Sequence, residues 1–140
     1  MDIKVINISQ GPHQLNKEAL KDIDPFALSF NVTSRLRYSD KSDYIGFQID
    51  LAINHGNTQV FRSGFLIGLA ISDWAKDLRN GLDLNNNRGK IPEICKFAWL
   101  VATGIVAIQS ATDSFKGIVL PAINYDKLSK DVILVPNDSE

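Results

Sequence analysis

Cysteine is nearly absent from this sequence, because Cys95 is the only one among 140 residues. A lone cysteine cannot form a disulfide within the chain, and a domain of this size buries enough surface to fold without one. The two histidines, His13 and His55, have no second ligand at the spacing that a metal site needs. The sequence therefore predicts a chain that folds around a hydrophobic core, with no metal, no cofactor and no catalytic constellation.

An excess of one charge sign is also lacking. Fifteen Lys and Arg balance sixteen Asp and Glu, which gives a net charge of -1. A nucleic-acid-binding domain usually carries a basic excess, so nucleic acid is not an expected partner. The first residues contain neither the basic region nor the apolar stretch of a signal peptide, and the uncharged run 97–108 is shorter than the roughly twenty residues of a membrane span. We expect a cytoplasmic protein without membrane insertion.

Alternation of apolar and polar residues with a period of two predicts three strands. The alternating runs cover residues 26–38, 44–54 and 58–71. Their connections are short and polar, so the three strands are expected to form an antiparallel meander. An additional, shorter edge strand is predicted over residues 3–8, where the change of phase at Val5-Ile6 indicates a β-bulge.

A long helix is predicted to begin at Pro92 and to run to about Ser110 or Thr112. It is apolar on nearly all sides, whereas a sheet can cover only one side of a helix. We therefore expect another subunit to cover part of it, through an oligomer interface formed by Ala98, Trp99, Ala102 and Val106. In the alternative, residues 73–90, which include a predicted short helix at 73–78 whichever reading holds, cover the far side within one chain.

One segment of the chain carries specificity at the level of single residues. Residues 120–128 read Leu-Pro-Ala-Ile-Asn-Tyr-Asp-Lys-Leu, which resembles the Leu-Pro-Pro-Val-Asn-Phe-Asp-Ala-Leu segment of the SecB family of protein-export chaperones. The order of elements is similar as well: meander strands, a polar crossover, a helix that begins at Ile91-Pro92, this segment, and a second helix. The resemblance covers about residues 23–130.

This resemblance implies an α+β fold over a single domain, residues 1–140. A SecB-like antiparallel meander of about four strands would carry a long apolar helix packed on it and a short C-terminal helix or tail. The family implies a homotetramer, a dimer of dimers, that holds unfolded or nascent polypeptides without ATP, in protein export or a related role. The implied client-binding residues are Phe26, Leu28 and Phe30 on one wall of a groove and Tyr125 and Leu128 near the other.

Two features of the chain differ from that family. SecB proteins are acidic and present carboxylates on the sheet face to the translocase motor SecA, whereas this chain carries Arg62 and Ser63 on its third predicted strand. Residues 132–135 form an apolar β-branched run in place of a sustained second helix. SecA docking is therefore an open question, and a SecB-like chaperone dedicated to a non-export client such as an antitoxin is an alternative.

A hypothesis from another class is a small-molecule-binding or enzymatic oligomer with a hotdog-like fold. Such folds usually place the long helix after the first strand, whereas here it follows the meander. They also need a polar catalytic residue near the helix start, for which Glu93 is the only real candidate. A purely structural oligomer subunit is a third alternative.

Overall fold

The computed structural model describes residues 2–21, 23–84, 89–112 and 117–136. A 3₁₀ turn, Pro25–Ala27, precedes the second strand. In chain order the other elements are β1 (Ile3–Leu15), β2 (Leu28–Tyr38), β3 (Tyr44–His55), β4 (Thr58–Ile71), α1 (Trp74–Arg79), α2 (Ile91–Gln109), α3 (Tyr125–Asp131) and β5 (Ile133–Pro136). The chain is therefore a mixed α+β fold with one long helix.

The five strands form one sheet in the order β1-β4-β3-β2-β5. β2, β3 and β4 are antiparallel neighbours, which confirms the predicted meander. β1 returns to lie antiparallel beside β4, and β5 lies parallel to β2. The prediction of about four strands is corrected to five, because residues 133–136 pair with residues 35–38. This pairing joins distant parts of the chain, so a local alternation of apolar and polar residues cannot predict the pairing.

β1 is longer than the predicted edge strand, with 13 residues. Its register against β4 shifts between Val5 and Asn7, which confirms the predicted β-bulge. A second shift lies between Gln10 and His13, where the strand carries Pro12. Proline cannot donate a backbone hydrogen bond, and an edge strand with a register shift tolerates it.

The face of the sheet that we call the inner face is apolar and lies against α2. On β3 it presents Ile45, Phe47, Ile49, Leu51 and Ile53, all buried. The same core cluster contains Ile91, Ile94, Cys95, Ala98, Trp99, Ala102, Ile105 and Val106 of α2. Complete burial of one large apolar side chain contributes about 1.5–3 kcal/mol to folding. By length and composition alone α2 is long and apolar enough to cross a membrane, and 44% of that stretch is buried within the chain.

The structure corrects the predicted oligomer interface on α2. Ala98, Trp99, Ala102 and Val106 are 0–3% exposed within a single chain, so they have almost no surface to offer a second subunit. These residues of α2 are covered by the same chain, as in the alternative. Residues that follow α2 contribute to this cover. The Trp99 Nε1–H donates to the Pro121 carbonyl oxygen at 3.1 Å, and α3 contacts α2. The 73–84 segment adds Trp74 and Leu84 to the core.

Candidate peptide-binding surfaces

The amino-terminal half of β2 is an open sheet edge. β5 pairs with β2 only at residues 35–38. Residues 28–34 therefore have β3 on one side and no strand on the other, within the parts of the chain that the structure describes. The backbone N–H and C=O groups along such an edge can pair with an extended chain from outside. We call this stretch, residues 28–34, the open β2 edge.

Three of the predicted client-binding residues lie at this edge. Leu28 and Phe30 lie on the inner face of the sheet, are half-buried, and pack against the core. Phe26 lies in the 3₁₀ turn. Its N-cap is Asp24, whose Oδ1 accepts a hydrogen bond from the Phe26 N–H at 3.0 Å. The Phe26 residue is 97% exposed. An aromatic side chain gains free energy from any contact that removes it from water, so Phe26 is a candidate anchor for an apolar ligand.

A second apolar surface lies between α2 and α3. It is a cleft of about 640 Å³ lined by Pro92, Glu93, Lys96, Phe97, Leu100, Asn124, Tyr125 and Asp126. We call it the α2–α3 cleft. Phe97, Leu100 and Tyr125 give it an apolar lining, while Glu93, Lys96 and Asp126 supply charges of both signs. The cleft therefore combines an apolar contact area with charged groups.

The segment that carries the family resemblance builds this cleft. Asn124 is the N-cap of α3, and its Oδ1 accepts hydrogen bonds from the Asp126 and Lys127 N–H groups at 3.0 and 3.2 Å. A side-chain cap of this kind fixes where a helix begins. It thereby sets the position of Tyr125, the first residue of α3. Leu120 is buried in the core and holds the chain that leads into the cap.

The structure distributes the five predicted client-binding residues over two surfaces. Phe26, Leu28 and Phe30 lie at the open β2 edge, and Tyr125 lines the α2–α3 cleft. Leu128 is half-buried on α3, packs against the core, and is not among the residues that line the cleft. These five residues therefore do not line a single groove with two walls within one chain, as the sequence analysis predicted.

Sequence reasoning missed two apolar residues of the cleft, Phe97 and Leu100. They belong to an exposed stripe on the side of α2 that faces away from the sheet, which we call the α2 stripe: Phe97, Leu100, Gly104 and Ile108. Leu100 is 59% exposed and Ile108 is 80% exposed. Their spacing of three and four residues places them on one stripe of the predicted helix, together with Val101 and Ile105. The spacing did not show that this is the exposed side, because the opposite side of α2 is equally apolar.

The residues considered for chemistry have structural contacts. His55 Nε2 accepts a hydrogen bond from the Asp24 N–H at 3.3 Å, and the His13 ring lies 6.3 Å from the ring of Phe61. Cys95 is buried in the core. No group of three or more His, Cys, Asp or Glu in the described parts of the chain is placed to hold a metal ion. α2 follows β4 in the chain, which differs from the order usual in a hotdog-like fold.

Comparison with known proteins completes the description. No protein-family model matches the sequence, and no curated protein matches it. Among solved structures, the chain is similar to the Mycobacterium tuberculosis Rv1957 SecB-like chaperone in complex with a ChAD peptide from the Rv1956 HigA1 antitoxin. The two sequences are 12% identical, the similarity covers 89% of this chain and 88% of that chain, and the TM-score is 0.41.

Proposed function

We propose that this chain is an ATP-independent, SecB-like chaperone that holds unfolded or nascent polypeptides. The observation that carries the proposal is the exposure of apolar side chains beside an open strand edge, above all Phe26 next to residues 28–34. An unfolded polypeptide offers the partners that this surface can bind, an extended backbone for the strand edge and apolar side chains for the exposed apolar residues. Both are bound passively, so holding needs neither a nucleotide nor a cofactor.

Backbone hydrogen bonds and apolar side-chain contacts would make separate contributions to client binding. Hydrogen bonds to the open β2 edge do not depend on client sequence, since every residue except proline offers the same N–H and C=O groups. Side chains of the client that point to the inner face would meet Leu28 and Phe30. Each apolar side chain that becomes fully buried contributes about 1.5–3 kcal/mol, and ordering the client opposes this gain. Moderate, reversible binding suits a chaperone.

The α2–α3 cleft supplies a second contact for the same client. It is built by the segment that resembles the SecB family, because Asn124 caps α3 and the Pro121 carbonyl oxygen accepts from Trp99. Two separated apolar surfaces on one chain raise the effective concentration of a long client at the second surface once the first is occupied. This is how a holding protein retains a polypeptide whose individual contacts are weak.

Two client classes fit these surfaces, export substrates that pass to SecA and a dedicated partner such as an antitoxin. The sheet face opposite α2 favours the second, because Arg62 stands on β4 where the family presents carboxylates to SecA. We propose a cytoplasmic role in holding a non-export client. Nucleic acid and membrane are not part of the proposal.

We further propose a homo-oligomer, most simply a tetramer. β1 is a long sheet edge whose Val5, Ile6 and Ile8 are each more than two-fifths exposed. An exposed apolar edge strand is an aggregation site unless it is paired, and two-fold pairing of β1 with β1 would give a dimer. The α2 stripe offers a second self-complementary surface. Its Phe97 and Leu100 also line the α2–α3 cleft, so a client and a second subunit would compete at this end of the stripe. Two different two-fold interfaces close into a tetramer.

The decisive experiment is suppression of aggregation of a chemically denatured model enzyme, followed by light scattering. The unmodified protein should keep the client soluble at a stoichiometric ratio. Phe26→Ser should weaken client binding roughly five- to thirtyfold, the equivalent of about 1–2 kcal/mol of lost apolar contact. Because Phe26 is almost fully exposed, the unfolding midpoint of the Phe26→Ser variant in urea should equal that of the unmodified protein.

Tyr44→Ser is the matched control, since Tyr44 is a 63% exposed aromatic residue at the start of β3. It should leave holding unchanged. Tyr125→Ser should weaken holding and, because Tyr125 is half-buried, also lower stability modestly. The proposal fails if the unmodified protein does not suppress aggregation, or if Tyr44→Ser weakens holding as much as Phe26→Ser does.

A further inference from the structure

The sheet face opposite α2, the outer face, carries an excess of positive charge. The strand register places Arg35 beside Gln48 and Arg37 beside Gly46 on this face, and Arg62 lies beside Ala52. Lys4 lies on the same face of β1, beside Ala70. Asp50 is the one carboxylate that the strands present there, in the parts of the chain that the structure describes. The whole chain, in contrast, has a net charge of -1.

The single carboxylate of the outer face is already engaged. Asp50 Oδ2 lies 3.2 Å from Arg35 Nη1 and also accepts a hydrogen bond from Gln48 Nε2 at 3.3 Å. Arg37 Nη2 donates to the neutral Gln48 Oε1 at 3.2 Å. Within the described ranges, no carboxylate forms an ion pair with Arg37 or Arg62. Neither guanidinium group is neutralised by a carboxylate there, and Arg37 keeps the N–H groups that do not donate to Gln48 for an external anion.

The surface between these two arginines is shallow. A Cβ atom on Gly64 would meet Asp50 Oδ1 at 2.7 Å, so glycine there lets the carboxylate lie flat across β4. Gly46 gives the same room to Leu66. A groove of about 480 Å³ is lined by Gln48, Asp50 and Gly64 and bordered by Arg62, and a separate groove is lined by Arg37 and Gly46. Arg37 and Arg62 are six residue positions apart along β3 and two strands apart, which is roughly 20–23 Å.

We infer that the outer face docks an acidic polypeptide segment of a partner protein, whose carboxylates pair with Arg37 and Arg62. A guanidinium group binds a carboxylate through two parallel hydrogen bonds, which gives direction as well as attraction. The distance between the arginines matches an extended segment of six to eight residues at ~3.3 Å per residue. A nucleic acid fits less well, because single strands need a row of aromatic side chains for stacking and the exposed aromatic residue here is Tyr44.

This docking is distinct from client holding, because the open β2 edge and the α2–α3 cleft do not use these arginines. A fluorescent octaglutamate peptide serves as the probe, and binding is followed by fluorescence anisotropy at low ionic strength. The unmodified protein should bind it, and binding should weaken as salt is added. The double variant Arg37→Gln/Arg62→Gln should lose binding by about tenfold or more. Its suppression of client aggregation should be unchanged.

The matched control is Lys17→Gln/Lys76→Gln, which removes the same number of charges from exposed positions outside the strands. It should change octaglutamate binding by less than about twofold. An oligothymidylate of similar length tests the competing class of partner. The inference is overturned if octaglutamate does not bind at millimolar concentration. It is also overturned if the control pair weakens binding equally, or if the oligothymidylate binds more tightly and depends on the same arginines.

Discussion

Replacing Leu100 with Glu should dissociate the proposed oligomer without unfolding the chain. Leu100 lies on the α2 stripe and is 59% exposed in one chain. Full burial of a leucine side chain contributes about 1.5–3 kcal/mol, so covering the exposed part is worth about 1–2 kcal/mol in each subunit. Both subunits of a two-fold interface carry the change, and the interface therefore loses about 2–4 kcal/mol of apolar burial.

The introduced carboxylates add a second penalty. In a closed interface each would lose hydration at a cost of a few kcal/mol, and pairing with the exposed Lys96, one helical turn earlier, would offset only part of it. Even a total of about 4 kcal/mol weakens association about a thousandfold. In the isolated chain the same residue is at the surface, where a substitution changes stability by less than about 0.5–1 kcal/mol.

Sedimentation velocity at micromolar concentration measures the outcome, with urea unfolding as the parallel test of stability. Ala102→Glu is the informative contrast, because Ala102 is 0% exposed inside the chain. It should destabilise the fold itself, through burial of an unpaired charge, where Leu100→Glu does not. If the unmodified protein sediments as a monomer, the oligomer proposal is refuted. If Leu100→Glu keeps the mass of the unmodified protein, the α2 stripe is not the interface.

Two further predictions concern the segment that follows α2. Ser110→Ala should lower the free energy of unfolding, measured in urea, by about 1–3 kcal/mol. The buried hydroxyl accepts a hydrogen bond from the Ile118 N–H at 2.6 Å, and its loss leaves that donor unpaired. An unchanged unfolding midpoint would contradict this. Gly117→Ala should destabilise more than Gly81→Ala, by about 1 kcal/mol or more. Both glycines have positive φ, but only at Gly117 would a Cβ also clash with the Ala107 carbonyl oxygen, and equal losses in urea unfolding would refute that account.

Local pattern was sufficient for most of the sheet and for the long helix. β3 and β4 bury one face each. One buried face requires apolar residues at about every second position of residues 44–55 and 58–71. The same logic located the bulge near Val5, because an extra residue reverses the phase of alternation. The start of α2 followed from Pro92, which suits the first turn of a helix.

The candidate site was predicted in part. The resemblance of residues 120–128 pointed to Tyr125, and the structure places Tyr125 at the start of a helix that Asn124 caps, on the lining of the α2–α3 cleft. Phe97 and Leu100 were missed. A helix that is apolar all round contains no information about which side meets the sheet, so the interface was assigned to the side that proved to be the core.

Sequence alone thus determined which residues form the meander strands and the long helix, because period and capping are local properties. Tertiary structure alone decided which faces remain free. β5 pairs with β2 across about a hundred residues of chain and stops at residue 35, which leaves residues 28–34 open. The residues from Gly117 through α3 fold back on α2 and leave only Phe97, Leu100, Gly104 and Ile108 as its exposed stripe. Which residues stay exposed depends on all contacts with distant parts of the chain, and a local sequence pattern contains no information about those contacts.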